Sequence, residues 1–332
     1  MLTDAAGKRR VIMKAVRHLG NGQAKQTVPE RAAPGHPSGW AALCGLIFLA
    51  ACSSSGQHSP ALTPMSQYAN GQTGPLGYDT HVPAFASENF APFNRQDVAA
   101  IALREWRMFG SPIADADPHD RPEPSSPALK PERLPGLWQR IGEYWWIGQA
   151  PEENEARWTG RTDGNGTLFS AARDGNYAWS AAFISYVMRI GGANIRFPYS
   201  PNHATYINAA ASGNNPGISA QNPANYAPRL GDILCVGRGR SRSITYSMLP
   251  TSYGFPAHCG IVVATRQNAP PFGREISIVG GNVDDAVSLT HVPTDSTGHV
   301  SSSDGQSYDS RYPWCAILTP RYDADTDPNS GQ

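Results

Sequence analysis

Between residues 94 and 211 the apolar side chains recur at helical spacing. After residue 228 they gather into short β-branched runs separated by turns. Asn94 is placed to cap a helix carrying Val98, Ile101, Leu103, Trp106 and Phe109, with Gly110 as its stop. A Pro- and Asp-rich stretch, 111–133, interrupts the pattern. Pro135 then opens a second helix, with Leu137, Trp138, Ile141 and Trp145 facing inward and Gly148 closing it. The spacing predicts a third helix from Trp179 to Ile190, stopped by Gly191-Gly192, and a fourth from Ser200-Pro201 through Tyr206 and Ile207. A Pro/Asn/Gly loop, 213–228, marks the change of period. Beyond it Leu230–Val236, His258–Thr265, Glu275–Gly280, Ala286–His291 and Trp314–Thr319 read as strands. Helices followed by an antiparallel sheet make an α+β domain.

The chain ahead of this domain follows other rules. Residues 1–39 hold Lys8, Arg9, Arg10, Lys14, Arg17, Lys25 and Arg31, and an apolar run from Trp40 to Ala51 follows them. About a dozen apolar residues is short for a membrane span and suits a signal h-region. The run ends in Leu49-Ala50-Ala51-Cys52, which resembles the lipobox of bacterial lipoproteins. That resemblance implies lipidation of Cys52, removal of 1–51, and an envelope location at the periplasmic face of the outer membrane, with the lipid as membrane anchor. Residues 52–85, rich in Ser, Pro, Gly and Gln, are read as the lipidated Cys and a flexible tether. The single α+β domain spans 86–322, and 323–332 is a polar tail.

Charge sharpens this picture. The whole chain balances 27 basic against 27 acidic residues, but the first 51 residues hold seven of the former and two of the latter. The remainder is mildly acidic and carries no basic stripe, which excludes nucleic acid as an expected partner. Export would place Cys235, Cys259 and Cys315 in an oxidising compartment. Three thiols allow one bridge, and Cys235 with Cys259, on neighbouring predicted strands, is the first choice.

Three short blocks concentrate the candidate chemistry. Tyr177-Ala178-Trp179-Ser180-Ala181-Ala182-Phe183 puts Ser180 in the first turn of a helix, where free amides and the helix dipole stabilise a developing anion. His258-Cys259-Gly260-Ile261-Val262 opens a strand with a histidine, and Gly280-Gly281-Asn282 ends the next strand on a polar residue. With Gly231-Asp232-Ile233, these blocks resemble the papain-like cell-wall hydrolases of CHAP and NlpC type. The order and the gaps, 78 residues and then 24, suit that fold over about residues 160–318. The Trp-Ser-Ala-Ala-Phe block also looks like one carried by an uncharacterised bacterial lipoprotein domain family.

The resemblance implies a catalytic set of Ser180, His258 and Asn282, with serine standing where the hydrolases have a cysteine nucleophile. A hydroxyl, unlike a thiol, needs a positioned base throughout the attack. Two readings therefore stand. In one, Ser180 attacks an amide carbonyl of peptidoglycan, His258 takes the proton and Asn282 orients the imidazole. In the other, the groove is inactive and binds wall peptide or an envelope protein. Trp179, Tyr177 and His203 are expected to contact substrate. Neither a metal nor a cofactor is expected: Asp163, Asn165, Thr167 and Asp174 faintly resemble a calcium loop, but Leu168 stands where its turn needs glycine.

Overall fold

The computed structural model describes residues 92–323, apart from 119, 123 and 171–175. The signal segment, Cys52 and the tether lie outside the described residues. Four helices and six strands follow in the chain: α1 (Arg95–Met108), α2 (Leu137–Gly148), α3 (Ser180–Ile190), α4 (His203–Ala211), β1 (Ile218–Gln221), β2 (Ile233–Gly237), β3 (Ala257–Ala269), β4 (Gly273–Val283), β5 (Ala286–Pro293) and β6 (Trp314–Pro320). The domain is α+β.

The helix ends have identifiable chemical causes. Asn94 caps α1, its side-chain oxygen accepting the Asp97 amide at 2.7 Å. Helix α3 is mostly apolar and is buried around its whole circumference from Ser180 to Arg189, which makes it the central helix of the packing. Helix α2 crosses it at Gly148, where a Cβ would stand 2.6 Å from the Ala182 carbonyl oxygen. Only glycine allows so close an approach.

The strands form one antiparallel sheet in the order β1-β6-β2-β3-β4-β5. The helices cover one face, against Cys235, Cys259, Ile261, Val263 and Val279. The other face buries Leu234, Val236, Val262, Ile278 and Trp314 under Val300 and Tyr312, from the connection between β5 and β6. Coverage on both sides explains why β2, β4 and β5 are buried on both faces over most of their length, polar residues such as Ser277, Ser288 and Thr290 included. The outer edge of β5 is bridged by Ile113 opposite Leu289, which caps an otherwise open row of backbone groups.

Strand β1 lies inside 213–228, the segment expected to be a loop. Of its four residues only Ile218 is buried, so it carries no legible alternation. It is set by its neighbours: Asn215 accepts the amides of Gly217 and Ile218, and Arg321 donates its amide to the Gly217 carbonyl.

Gly231-Asp232 has a structural role. Asp232 is fully buried, pairs with Arg95 at 2.7 Å, and accepts the Tyr226 hydroxyl and the Arg229 amide. It fastens α1 to the start of β2. Burial raises its pKa, against the pull of Arg95 in the other direction. Cys235 and Cys259 stand directly opposite each other on β2 and β3, with Cα atoms 4.2 Å apart, and are joined as a disulfide. Cys315 is buried and free.

Candidate active site

The start of α3, the start of α4 and the ends of β3 and β4 converge on an open cleft of about 840 Å³. Ser180, His203, His258 and Asn282 all line it, with Arg238 at its mouth and Trp145 and Trp158 along one wall. Each reaches the cleft for a local reason. Ser180 is the first residue of α3, so its amide and those of Ala181 and Ala182 precede the first turn's bond from Phe183 N–H to the Trp179 carbonyl. His203 opens α4. The loop before it is tied back to α3 through Ser185, whose hydroxyl donates to the Ser200 carbonyl and accepts the Ser200 amide.

Strand β4 enters the site through two glycines with different duties. At Gly280 a Cβ would stand 2.9 Å from Nε2 of His258. At Gly281 it would stand 2.5 Å from Cβ of Phe183 on α3. The strand thus passes between the histidine on one face and the central helix on the other. The pairing register of β4 with β5 then shifts between Gly280 and Val283, and Asn282 adopts φ +55°. This bulge turns Asn282 into the cleft ahead of the two-residue hairpin turn at Asp284 and Asp285, both of which also have positive φ.

The hydrogen bonds connect a different set from the expected triad. Ser180 Oγ lies 2.7 Å from Nε2 of His203, and Nδ1 of the same ring is bonded to the Tyr206 hydroxyl. Ser180, His203 and Tyr206 form a continuous buried chain. His258 stands beside it, the two imidazole centroids 5.5 Å apart at 64°. Its Nδ1 is buried without a hydrogen-bond partner, so Asn282 does not orient that ring. The expected Ser180–His258–Asn282 set therefore shares one cleft without sharing a hydrogen-bond chain. Strand alternation is the reason: Cys259 points to the helices, and His258 points to the opposite face of β3.

The substrate-contact expectations divide as well. His203 is at the centre of the site. Trp179 is 1% exposed and belongs to the core, donating from Nε1 to Glu132 at 2.9 Å, so it does not line the cleft. Tyr177 stacks on Phe169 and meets Trp158 edge-on, behind the wall that Trp158 presents. Trp158 and Tyr206 thus hold places in or against the site that the sequence did not assign to them, and Arg238, from a basic loop read as solvated, lines the cleft. For Tyr206 a signal existed, since it falls one helical turn after His203.

Both histidines are held neutral. Burial, and then the charge of Arg238, push His203 down to about 3. The same two causes, in the same order, lower His258 well below its ordinary value, with His203 and Arg121 adding to them. When Nε2 of neutral His203 accepts the Ser180 hydroxyl proton, Nδ1 carries the ring hydrogen and donates it to Tyr206. Among the described residues, no group of three or more His, Cys, Asp or Glu side chains suits a metal ion. No described helix is long and apolar enough to cross a membrane.

Fold and cleft together define an α+β domain with a buried serine–histidine pair at the foot of its central helix. Residues 132–319, more than half of the chain, match the family DUF2272, described as an uncharacterized protein conserved in bacteria, and the chain belongs to that family. No curated protein and no solved structure matches it.

Proposed function

We propose that this domain is a papain-like acyl-transfer hydrolase of the bacterial cell envelope, anchored through Cys52 and acting on peptidoglycan or a related acylated amine. The observation that carries this reading is the 2.7 Å contact between Ser180 Oγ and His203 Nε2 inside an open cleft. Ser180 Oγ attacks the amide carbonyl while its proton passes to His203 Nε2. The oxyanion forms beside the open amides at the start of α3. Collapse of the tetrahedral intermediate expels the amine, which leaves with the proton from His203, and water then hydrolyses the ester on Ser180. Tyr206 fixes the tautomer and tilt of His203, the orienting role that a carboxylate or amide has in other triads. His258 and Asn282 line the same cleft beside this chain.

One observation favours a second reading, an inactive groove that binds wall peptide. No carboxylate bonds to either cleft imidazole among the described residues. The depression of His203 to about 3 makes its imidazolium costly, on the order of 5 kcal/mol.

The test is incubation of the purified protein with isolated peptidoglycan, followed by analysis of released fragments, with Ser180→Ala, His203→Gln and Ser180→Cys alongside. Release by the parent that both Ala and Gln abolish supports the serine hydrolase. Release by Ser180→Cys alone supports the groove that lost its nucleophile. Silence from all four, in folded protein, overturns the wall-hydrolase reading.

A further inference from the structure

The charged side chains around the cleft are almost all engaged. Arg121 pairs with Asp284 at 2.8 Å, Lys130 with Asp285 at 3.2 Å, and Arg311 with Asp309 at 2.7 Å. Arg242 donates to the backbone carbonyls of Ser310 and Arg311. Arg238 differs. It follows the last residue of β2, its amide bonded to the Pro256 carbonyl at 2.9 Å, and its exposed guanidinium has no hydrogen-bond or ion-pair partner among the described residues. Gly237 pairs with Ala257, the neighbour of His258, so the arginine leaves the sheet beside that histidine. The turn that carries it is tight: a Cβ on Gly237 would stand 2.0 Å from the Ser241 carbonyl oxygen. The position of Arg238 is therefore set by backbone packing, although its side chain is free.

Two features next to this free cation leave a place for a ligand group. The Ser180–His203–Tyr206 chain contains no carboxylate, and Nδ1 of His258 is buried without a partner. A serine–histidine pair that must pass through an imidazolium is assisted by a nearby negative charge. Here the unpaired charge of Arg238 has the wrong sign, and it depresses both rings.

We propose that the cleft takes a ligand carrying a carboxylate, which pairs with Arg238 beside the Ser180–His203 couple and supplies the negative charge that the protein omits. An arginine fork and a carboxylate match in geometry, two N–H groups facing two oxygens. Pairing neutralises the field that Arg238 exerts on the imidazoles and places an anion near His203. The ligand thus makes His203 a stronger base only when it is bound. On the acyl-transfer reading above, on which this inference rests, the substrate is a peptide with a free carboxylate close to the amide that Ser180 attacks.

The test measures binding rather than turnover, so that the two proposals fail separately. The full chain carrying Ser180→Ala is titrated with a series of short N-acetyl peptides, each as the free acid and as the C-terminal amide. The fluorescence of Trp158 and its cleft neighbours reports occupancy. The acid form of at least one peptide is expected to bind about tenfold more tightly than its amide. Arg238→Gln is expected to remove that difference, while Arg240→Gln, on the same turn, retains it. Side-chain NMR of ¹⁵N-labelled histidine in the saturated complex is expected to show the His203 titration moved upward by about one unit or more. Inorganic phosphate serves as a separate arm: tight phosphate binding lost in Arg238→Gln, without any preference for acid over amide, would mean a phosphate site and overturn the carboxylate assignment. Equal binding of acid and amide, a preference that survives Arg238→Gln, or no binding by any peptide overturns it as well. Peptidoglycan release by the parent together with any of these results leaves the hydrolase standing and removes only this inference. An Arg238-dependent acid preference without peptidoglycan release does the reverse.

Discussion

Nε2 of His258 lies directly over Gly280, where a Cβ would come within 2.9 Å, while one residue later a Cβ on Gly281 would stand only 2.5 Å from Phe183 and 2.8 Å from Trp179. One strand thus holds a histidine off one face and a helix against the other, and each glycine answers for one of them. Gly280→Ala is expected to displace the half-buried His258 ring and cost about 1 kcal/mol. Gly281→Ala meets packed core on α3 and is expected to cost about 3 kcal/mol. Chemical denaturation of the two variants, side by side, checks the order. Equal costs would mean that β4 relaxes away from α3.

The junction between α1 and the sheet depends on Arg95 and Asp232. Removing one partner leaves a charge buried alone, so Asp232→Ala is expected to lose about 3–5 kcal/mol. The carboxylate also accepts from Tyr226 and the Arg229 amide, so the loss exceeds that of an exposed pair. The more accessible, half-buried pairing of Arg196 with Asp323 gives the comparison, with Asp323→Asn, which keeps an acceptor for the Phe93 amide, expected to cost about 1 kcal/mol. Urea midpoints at neutral pH measure both.

The neutral histidines set an acid limit. His203 has a folded pKa of about 3 against an ordinary 6.5, so below about pH 6.5 the unfolded state binds a proton that the folded state refuses. Stability is therefore full above that pH and falls as the pH drops from about 6.5 towards about 3. His258 acts in the same direction. Between about pH 7.5 and about pH 5, His203 alone is expected to account for about 2 kcal/mol of lost stability. His203→Gln should flatten the profile by that amount. An unchanged slope would show that the ring is not held neutral.

The two kinds of cysteine should separate chemically. Burial pushes the Cys315 thiol up to about 12, so iodoacetamide is expected to leave Cys315 unlabelled in the native protein and to label it after unfolding without reductant. The Cys235–Cys259 bridge spans 24 residues. Its replacement by paired alanines is expected to cost about 3 kcal/mol by releasing a loop of that length in the unfolded chain. Mass spectrometry and thermal denaturation read these outcomes.

Several features were open to reading from the sequence, because they depend on neighbours along the chain. The Asn94 cap, the amphipathic α1 and α2, the apolar α3 and the β-branched runs of β2 to β6 follow from local spacing, and with them the α+β class and the placing of Ser180 at a helix start. Strand β1 stayed hidden because four mostly polar residues show no period; its strand character comes from β6, about 100 residues away in the chain. The partner of Ser180 also required the tertiary structure. Four histidines follow it in the chain, and the family resemblance favoured His258. The Ser185–Ser200 tie instead brings the start of α4 over α3, while the alternation of β3 turns His258 towards Gly280. Likewise Trp179 is core and Trp158 is wall, because the Glu132 carboxylate draws the Trp179 indole inward. Local periodicity determined the elements. Which side chains face one another across the cleft was decided by packing between segments far apart in the chain, where a shift of one residue in a strand or one turn in a helix changes every contact.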